Sequence, residues 1–285
     1  MPGLSTIKII GNLIFFAQGL KLPTQFDEKY FKDHNPEPGE MAHPPQLIPP
    51  WFMAPHPAYK YEQDSCDKIG KNFKDFHDTM IDAVAFAHNM WKLQAKFSNL
   101  QIMAVACIGT PGCLTGPELE SNIKNAPMCA AWTGNMAKHR DAVAAGVSKC
   151  FKNWQDQVTI PGMPLYPAFA AFPGPMAPPM PNVPIPLIAC ISGMMADIIT
   201  PNQLATEMDN ALDGGLKQKD PTNQFKALHL AIGTVLSLAF LMWLPSQMMS
   251  LTLGKGPIPS FAPPFVPVGP VVGGDNIAIP GHVMT

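Results

Sequence analysis

The sequence predicts a mainly α-helical chain: amphipathic and apolar helices joined by long, ordered, proline-rich extended segments, with little or no β-sheet. Three observations predict it. Apolar residues recur at steps of three and four over two long stretches. An almost uninterrupted apolar run covers residues 227–244. Prolines crowd into segments that carry few or no charges. A helix presents residues three and four apart on one face, so such spacing draws a stripe that faces a core. Proline lacks a backbone N–H and fixes φ, so a proline-dense run suits neither a helix interior nor a central strand.

Taken in order, the chain divides into an N-terminal proline-rich arm (1–65), a helical region (66–157), a proline-rich strap (158–188), a second helical region (189–254) and a C-terminal strap (255–285). The arm opens on a short apolar run, Ile9 to Leu20, after a single lysine, Lys8. This loosely mimics a secretory signal, against which Pro2 and the weak cleavage region argue. Residues 35–59 form the first proline-rich stretch, with Trp51, Phe52 and Tyr59 as possible anchors.

The first helix is expected from about Cys66 to Val105. Ile69, Phe73, Phe76, Met80, Val84, Ala87 and Trp91 form its stripe, continued less cleanly by Ala95, Leu100, Met103 and Cys107. Gly109-Thr110-Pro111-Gly112 ends it. A short helix follows Thr115, which has capping-box spacing to Glu118, with Pro117 in the first turn. Another spans about Met128 to Gln157, with Trp132, Met136, Val143, Val147, Phe151 and Trp154 as its apolar side.

From Ile160 to Ile188 ten prolines fall between Pro161 and Pro186 without one charged residue. Ordinary proline-rich linkers are polar. This one is interleaved with large apolar side chains, whose exposure costs roughly 25 cal/mol per Å². An ordered strap lying on helices, its own or a neighbour's, is the expectation, with a loose loop as the alternative. Leu187 to Ile199 is apolar and read as helical. Thr200-Pro201 caps a helix to about Leu212, stopped by Gly214-Gly215, and Asp220-Pro221 opens the last helix. Helix, tryptophan and proline strap occur at Ala142–Ile188 and again at Leu228–Gly273, a weak internal repeat in which Trp154 matches Trp243.

The stretch from Ala227 to Leu244 has the minimum length of a membrane-spanning helix. The alternative is a helix hidden on all sides by protein. That reading is favoured because a proline strap at membrane depth would leave its carbonyls without donors.

Charged residues make up 14% of the chain, against roughly 25% in typical globular proteins. Such a chain has few charges to spread over a surface and is expected to borrow cover from protein neighbours or lipid. The net charge of −2 and the single arginine, Arg140, give no basic field of the kind direct nucleic-acid binding uses. The cysteines at 66, 107, 113, 129, 150 and 190 have neither zinc-type spacing nor the density of a disulfide scaffold. Cys107 and Cys113 flank a turn, either bridged or as buried thiols.

Phosphate-cradling, nucleophile-elbow and zinc-protease motifs are absent from the sequence. His77 with Asp78 and Asp82 reads as a solvated helix face, because neighbours in sequence point apart on a helix. His229 reads as a buried or helix-end histidine, and Glu207, Asp209 and Asp213 as a polar face. No catalytic, cofactor-binding or metal-ligating residue is expected, and no cofactor.

The functional expectation is therefore a non-enzymatic structural subunit of a large symmetric assembly such as a virion, phage tail or injection-type particle, in a virion or a cell-envelope or extracellular particle. Its partners are copies of itself and other subunits, with possible membrane contact. The expected interface residues are Tyr166, Phe169, Phe172, Met176, Met180, Trp243, Phe261 and Phe265. The alternative is an integral membrane protein inserted through residues 227–244.

Overall fold

The computed structural model describes residues 4–17, 60–104, 106–165, 176–220, 223–258 and 271–281. Helix α1 is Leu4–Ala17 and α2 is Lys60–Gln94; strands β1 (Lys96–Phe97), β2 (Gln101–Ala104), β3 (Ala106–Gly109) and β4 (Leu114–Thr115) follow. Next come α3 (Leu119–Lys124), α4 (Gly134–Asp156), β5 (Val158–Pro164), β6 (Met176–Pro181), β7 (Ile185–Pro186), a 3₁₀ turn (Leu187–Ala189) and β8 (Ile191–Ser192). The chain continues through α5 (Met195–Ile199), α6 (Pro201–Ala211), α7 (Gly214–Lys219), α8 (Gln224–Ser246), β9 (Met248–Met249), β10 (Leu253–Pro257) and β11 (Val271–Ile277).

The expectation of little or no β-sheet is overturned. Seven strands form one antiparallel sheet in the order β6-β10-β11-β2-β3-β5-β8, beside the small pairs β1–β4 and β7–β9. The fold is mixed α and β. Proline did not prevent this because of where it falls. Pro178, Pro179 and Pro181 lie in β6, at the sheet's edge, where a missing donor costs no ladder bond. Pro161 lies in a bulge of β5: between the pairs Cys107↔Met163 and Gly109↔Ile160, Pro161 and Gly162 together oppose Ile108.

Two further bulges follow the same rule. Val272 and Gly273 oppose Met103, and Pro178 and Pro179 oppose Lys255. Gly273 has a φ of +67°, the left-handed conformation that one bulge type requires. In all three cases the doubled residues face outward and are exposed. Extra length on one face bends a sheet towards the other, and this sheet curls accordingly. Leu165, just past β5, reaches the inner side of β10. A Cβ on Gly254 would stand 2.6 Å from its Cδ2 and 2.5 Å from Ile102 Cδ1. Val183 N, just past β6, donates to Pro164 O at 2.8 Å.

The first long helix ends at Gln94 rather than Val105. Beyond it the apolar spacing that resembled a stripe belongs to a β-hairpin, in which Ile102 and Cys107 face each other inward while Met103 and Ile108 face out. Thr115 lies in β4, so the cap of α3 moves to Glu118. Leu187 to Ile199 is a 3₁₀ turn, a strand and a short helix rather than one helix. Gly214-Gly215 does not stop a helix but starts α7, whose first amides at Gly215 and Leu216 donate to the Asp213 carboxylate.

Helices α4, α6 and α8 stack beside α2 in one layer. Gly146 lets α4 meet the backbone of α6, since a Cβ there would lie 2.5 Å from Met208 N. Under them sits an aromatic cluster. Trp91, Phe151, Trp154, Phe240 and Trp243 meet with centroid separations between 4.9 and 6.4 Å. The two tryptophans of the weak repeat, Trp154 and Trp243, contact each other at 5.7 Å. Trp91 Nε1 donates to Gln155 Oε1 at 2.6 Å, and Trp243 Nε1 to Gln247 Oε1 at 2.9 Å.

Cys107, Cys113, Cys129, Cys150 and Cys190 are free and buried. Of the two readings of Cys107 and Cys113, the buried-thiol one is observed, with Cys113 Sγ donating to Val158 O at 3.3 Å. Helix α8 is long and apolar enough to cross a membrane, and 67% of its most apolar window is buried within this chain.

Candidate interaction surface

Alternation along each strand splits the large sheet into two faces. The inner face carries Ile102, Cys107, Met163, Ala177 and Val271, all buried. The outer face carries Met103, Ile108, Met176 and Val272, with the exposed prolines 161, 178, 179 and 257 between them. Lys255 and Asp275, paired across β10 and β11 with Nζ 3.8 Å from Oδ1, are the only charged residues in β2, β3, β5, β6, β10 and β11. A six-strand surface with one ion pair and five large exposed apolar side chains, Ile277 at the end of β11 being the fifth, is an unusual thing to present to water. Smaller apolar exposures occur at Ile9, Ile10 and Leu13 on α1 and at Ile188, Ile191 and Met194 around β8.

The residues singled out from the sequence fall in different places. Met176 is on the outer face and 56% exposed. Met180, on the same strand, turns inward and packs against the core. Trp243 is 2% exposed, inside the aromatic cluster. Tyr166, Phe169, Phe172, Phe261 and Phe265 lie outside the described residues, as does the 35–59 stretch. Sequence reasoning missed Met103, Ile108 and Val272. No sequence signal marked the first two: Gln101–Met103 and Ala106–Ile108 carry apolar residues on both faces, without polar–apolar alternation, and a helix-like spacing runs through them.

Among the described residues the titratable groups form no activated centre. Burial pushes the thiols of Cys107, Cys150 and Cys190 up to about 12 and that of Cys113 up to about 11, which keeps them protonated and unreactive. His88 sits in the aromatic cluster, its ring 4.5 Å from that of Trp243 and neither nitrogen hydrogen-bonded. Burial pushes its pKa down to about 3.

His229 is buried with Nδ1 2.7 Å from Asp209 Oδ1, so it donates there, while Nε2 has no hydrogen-bond partner. The His139 ring lies 6.5 Å away, and its pKa is lowered by burial and then by His229. Glu207 pairs with Lys149 at 2.7 Å. Among the described residues no group of three or more His, Cys, Asp or Glu side chains is placed to hold a metal ion. His77 departs from the sequence reading: it is 1% exposed, not on a solvated face.

No family model, curated protein or solved structure matches this chain.

Proposed function

We propose that the chain is a non-enzymatic structural subunit of a large symmetric assembly of the virion, phage-tail or injection-particle kind. It packs against copies of itself and other subunits through the outer sheet face and its charge-free proline-rich segments. The observation that carries this reading is the outer face, where Met103, Ile108, Met176 and Val272 stand exposed around a single ion pair. Obligate interfaces are apolar and large, above about 2,000 Å² in total, and a charge-poor sheet face is the surface such an interface needs. The low charge of the whole chain, 14%, points the same way.

The test is particle mass in mild buffer, by light scattering or sedimentation. Multiples of the 30.9 kDa chain are expected, and a stable, well-behaved monomer overturns the reading. Membrane insertion of α8 is a second reading, favoured by its length and apolar character. It requires sedimentation with membranes and resistance to carbonate extraction.

A further inference from the structure

Helix α1 meets the rest of the molecule along one narrow face. Ile7 is buried in a small cluster with Ile81 of α2 and Val235 and Ala239 of α8. Gly11 marks the closest approach: a Cβ there would overlap Val235 Cγ2 and lie 2.6 Å from His77 Nε2. Polar ties flank this contact. Lys8 Nζ pairs with Asp82, and Asn12 Nδ2 donates to Asp78 Oδ1 at 3.1 Å.

His77 Nδ1 lies 3.0 Å from the same Asp78 oxygen. The carboxylate can only accept, so the ring hydrogen is on Nδ1 and Nε2 is a bare lone pair. That nitrogen is buried against the α1 backbone and has no hydrogen-bond partner. A proton added to Nε2 would place a charged N–H against Gly11 and a valine methyl, with no acceptor within hydrogen-bond distance and the unpartnered Asn12 Oδ1 out of its reach, a costly arrangement in a dry contact. With α1 lifted away, water takes that proton's hydrogen bond.

We propose that His77 is a proton-operated latch: α1 stays docked while Nε2 is bare, and detaches when that nitrogen is protonated. The groups acting on the imidazole are Asp78 and Lys74 from α2 and Lys8 from α1, while α8 presents the apolar Val235. Burial, with both lysines acting in the same direction, outweighs Asp78, which favours the charged ring, and holds the docked pKa below the ordinary 6.5.

A lowered histidine pKa gives docking a contribution that is whole above the undocked value and is lost as pH falls below it. Asp78 is also held below its ordinary 3.8, by His77, Lys74 and Asn12 against the effect of burial, so its share survives until more acid conditions. Between about pH 6.5 and pH 4 the latch is therefore His77. Detachment uncovers Val235 and Ala239 and frees a helix whose Ile9, Ile10 and Leu13 are already exposed.

Hydrogen exchange of the full chain, corrected for intrinsic rates, reads this directly. Protection across residues 4–17 is expected to fall by more than about twofold from pH 7.5 to pH 5, and in His77→Gln to change less than that. Gly11→Ala should loosen α1 at both pH values, which calibrates the signal for detachment. If the glutamine variant does not hold α1 at pH 7.5, His77→Phe takes its place with the same expectation. Protection that stays constant in the native chain, or falls equally in the latch variant, overturns the proposal.

Discussion

On the inner face of the seven-stranded sheet, Ile102 and Val271 are 0% and 2% exposed; one residue along the same strands, Met103 and Val272 are 56% and 55% exposed. The two faces differ little in chemistry. The inner face gains its cover from helices and from its own curl, which brings Leu165 beneath Gly254. The outer face is convex because the three bulges lengthen it, and nothing in the described chain lies over it. In an ordinary antiparallel sheet the solvated face is polar. Here both faces follow an apolar pattern, and one of them is left uncovered by the described chain.

The sharpest way to break the comparison is on the covered side. Ile102→Ala should cost about 3 kcal/mol, the range for removing a fully buried branched side chain, as read by chemical denaturation. A loss below 1 kcal/mol would mean that the inner face is not the core.

A milder effect comes from acid. His88 is neutral in its aromatic surroundings, with a pKa of about 3 against an ordinary 6.5. Its contribution is present above the unfolded value and is lost as pH falls through 6.5 towards 3. Lowering the pH from 8 to 5 should remove about 2 kcal/mol through this group. His88→Leu should flatten the stability curve by that amount, since burying an apolar side chain in place of an unsatisfied polar one is close to neutral.

The smallest effect on folding is expected outside. Met103→Ser with Ile108→Thr should change stability by no more than about 0.5 kcal/mol, as exposed substitutions do. The same pair should shift particle mass strongly towards the monomer. If folding suffers and association does not, the open face belongs to the core and the proposed interface lies elsewhere.

The helices were readable because burial leaves a periodic trace. Met80, Val84, Ala87 and Trp91, and Val143, Val147, Phe151 and Trp154, are all buried as their spacing implies. The sheet was not readable for three physical reasons. Its strands are only two to seven residues long, too short for a period to declare itself. They are apolar on both faces, which erases alternation. Their prolines sit in the edge strand (Pro178, Pro179 and Pro181), in a bulge (Pro161) and at the last residue of an inner strand (Pro164 and Pro257), sites that a rule about central strands does not cover.

The candidate surface was legible as a composition, a shortage of charge, but not as a place. Its location depends on which residues the bulges turn outward. His77 was misread for a related reason: its helix face is covered by α1, a contact between parts of the chain 66 to 74 residues apart.

Three of the six residues of β6 are Pro178, Pro179 and Pro181, and the strand at the other border, β8, has two residues. A foreign strand aligned with either rim would find few amide hydrogens or little length to zip onto. Ribbon-like growth, and the fibril it leads to, is closed to this sheet, so copies that accumulate at high local density must layer by their broad surfaces or remain apart.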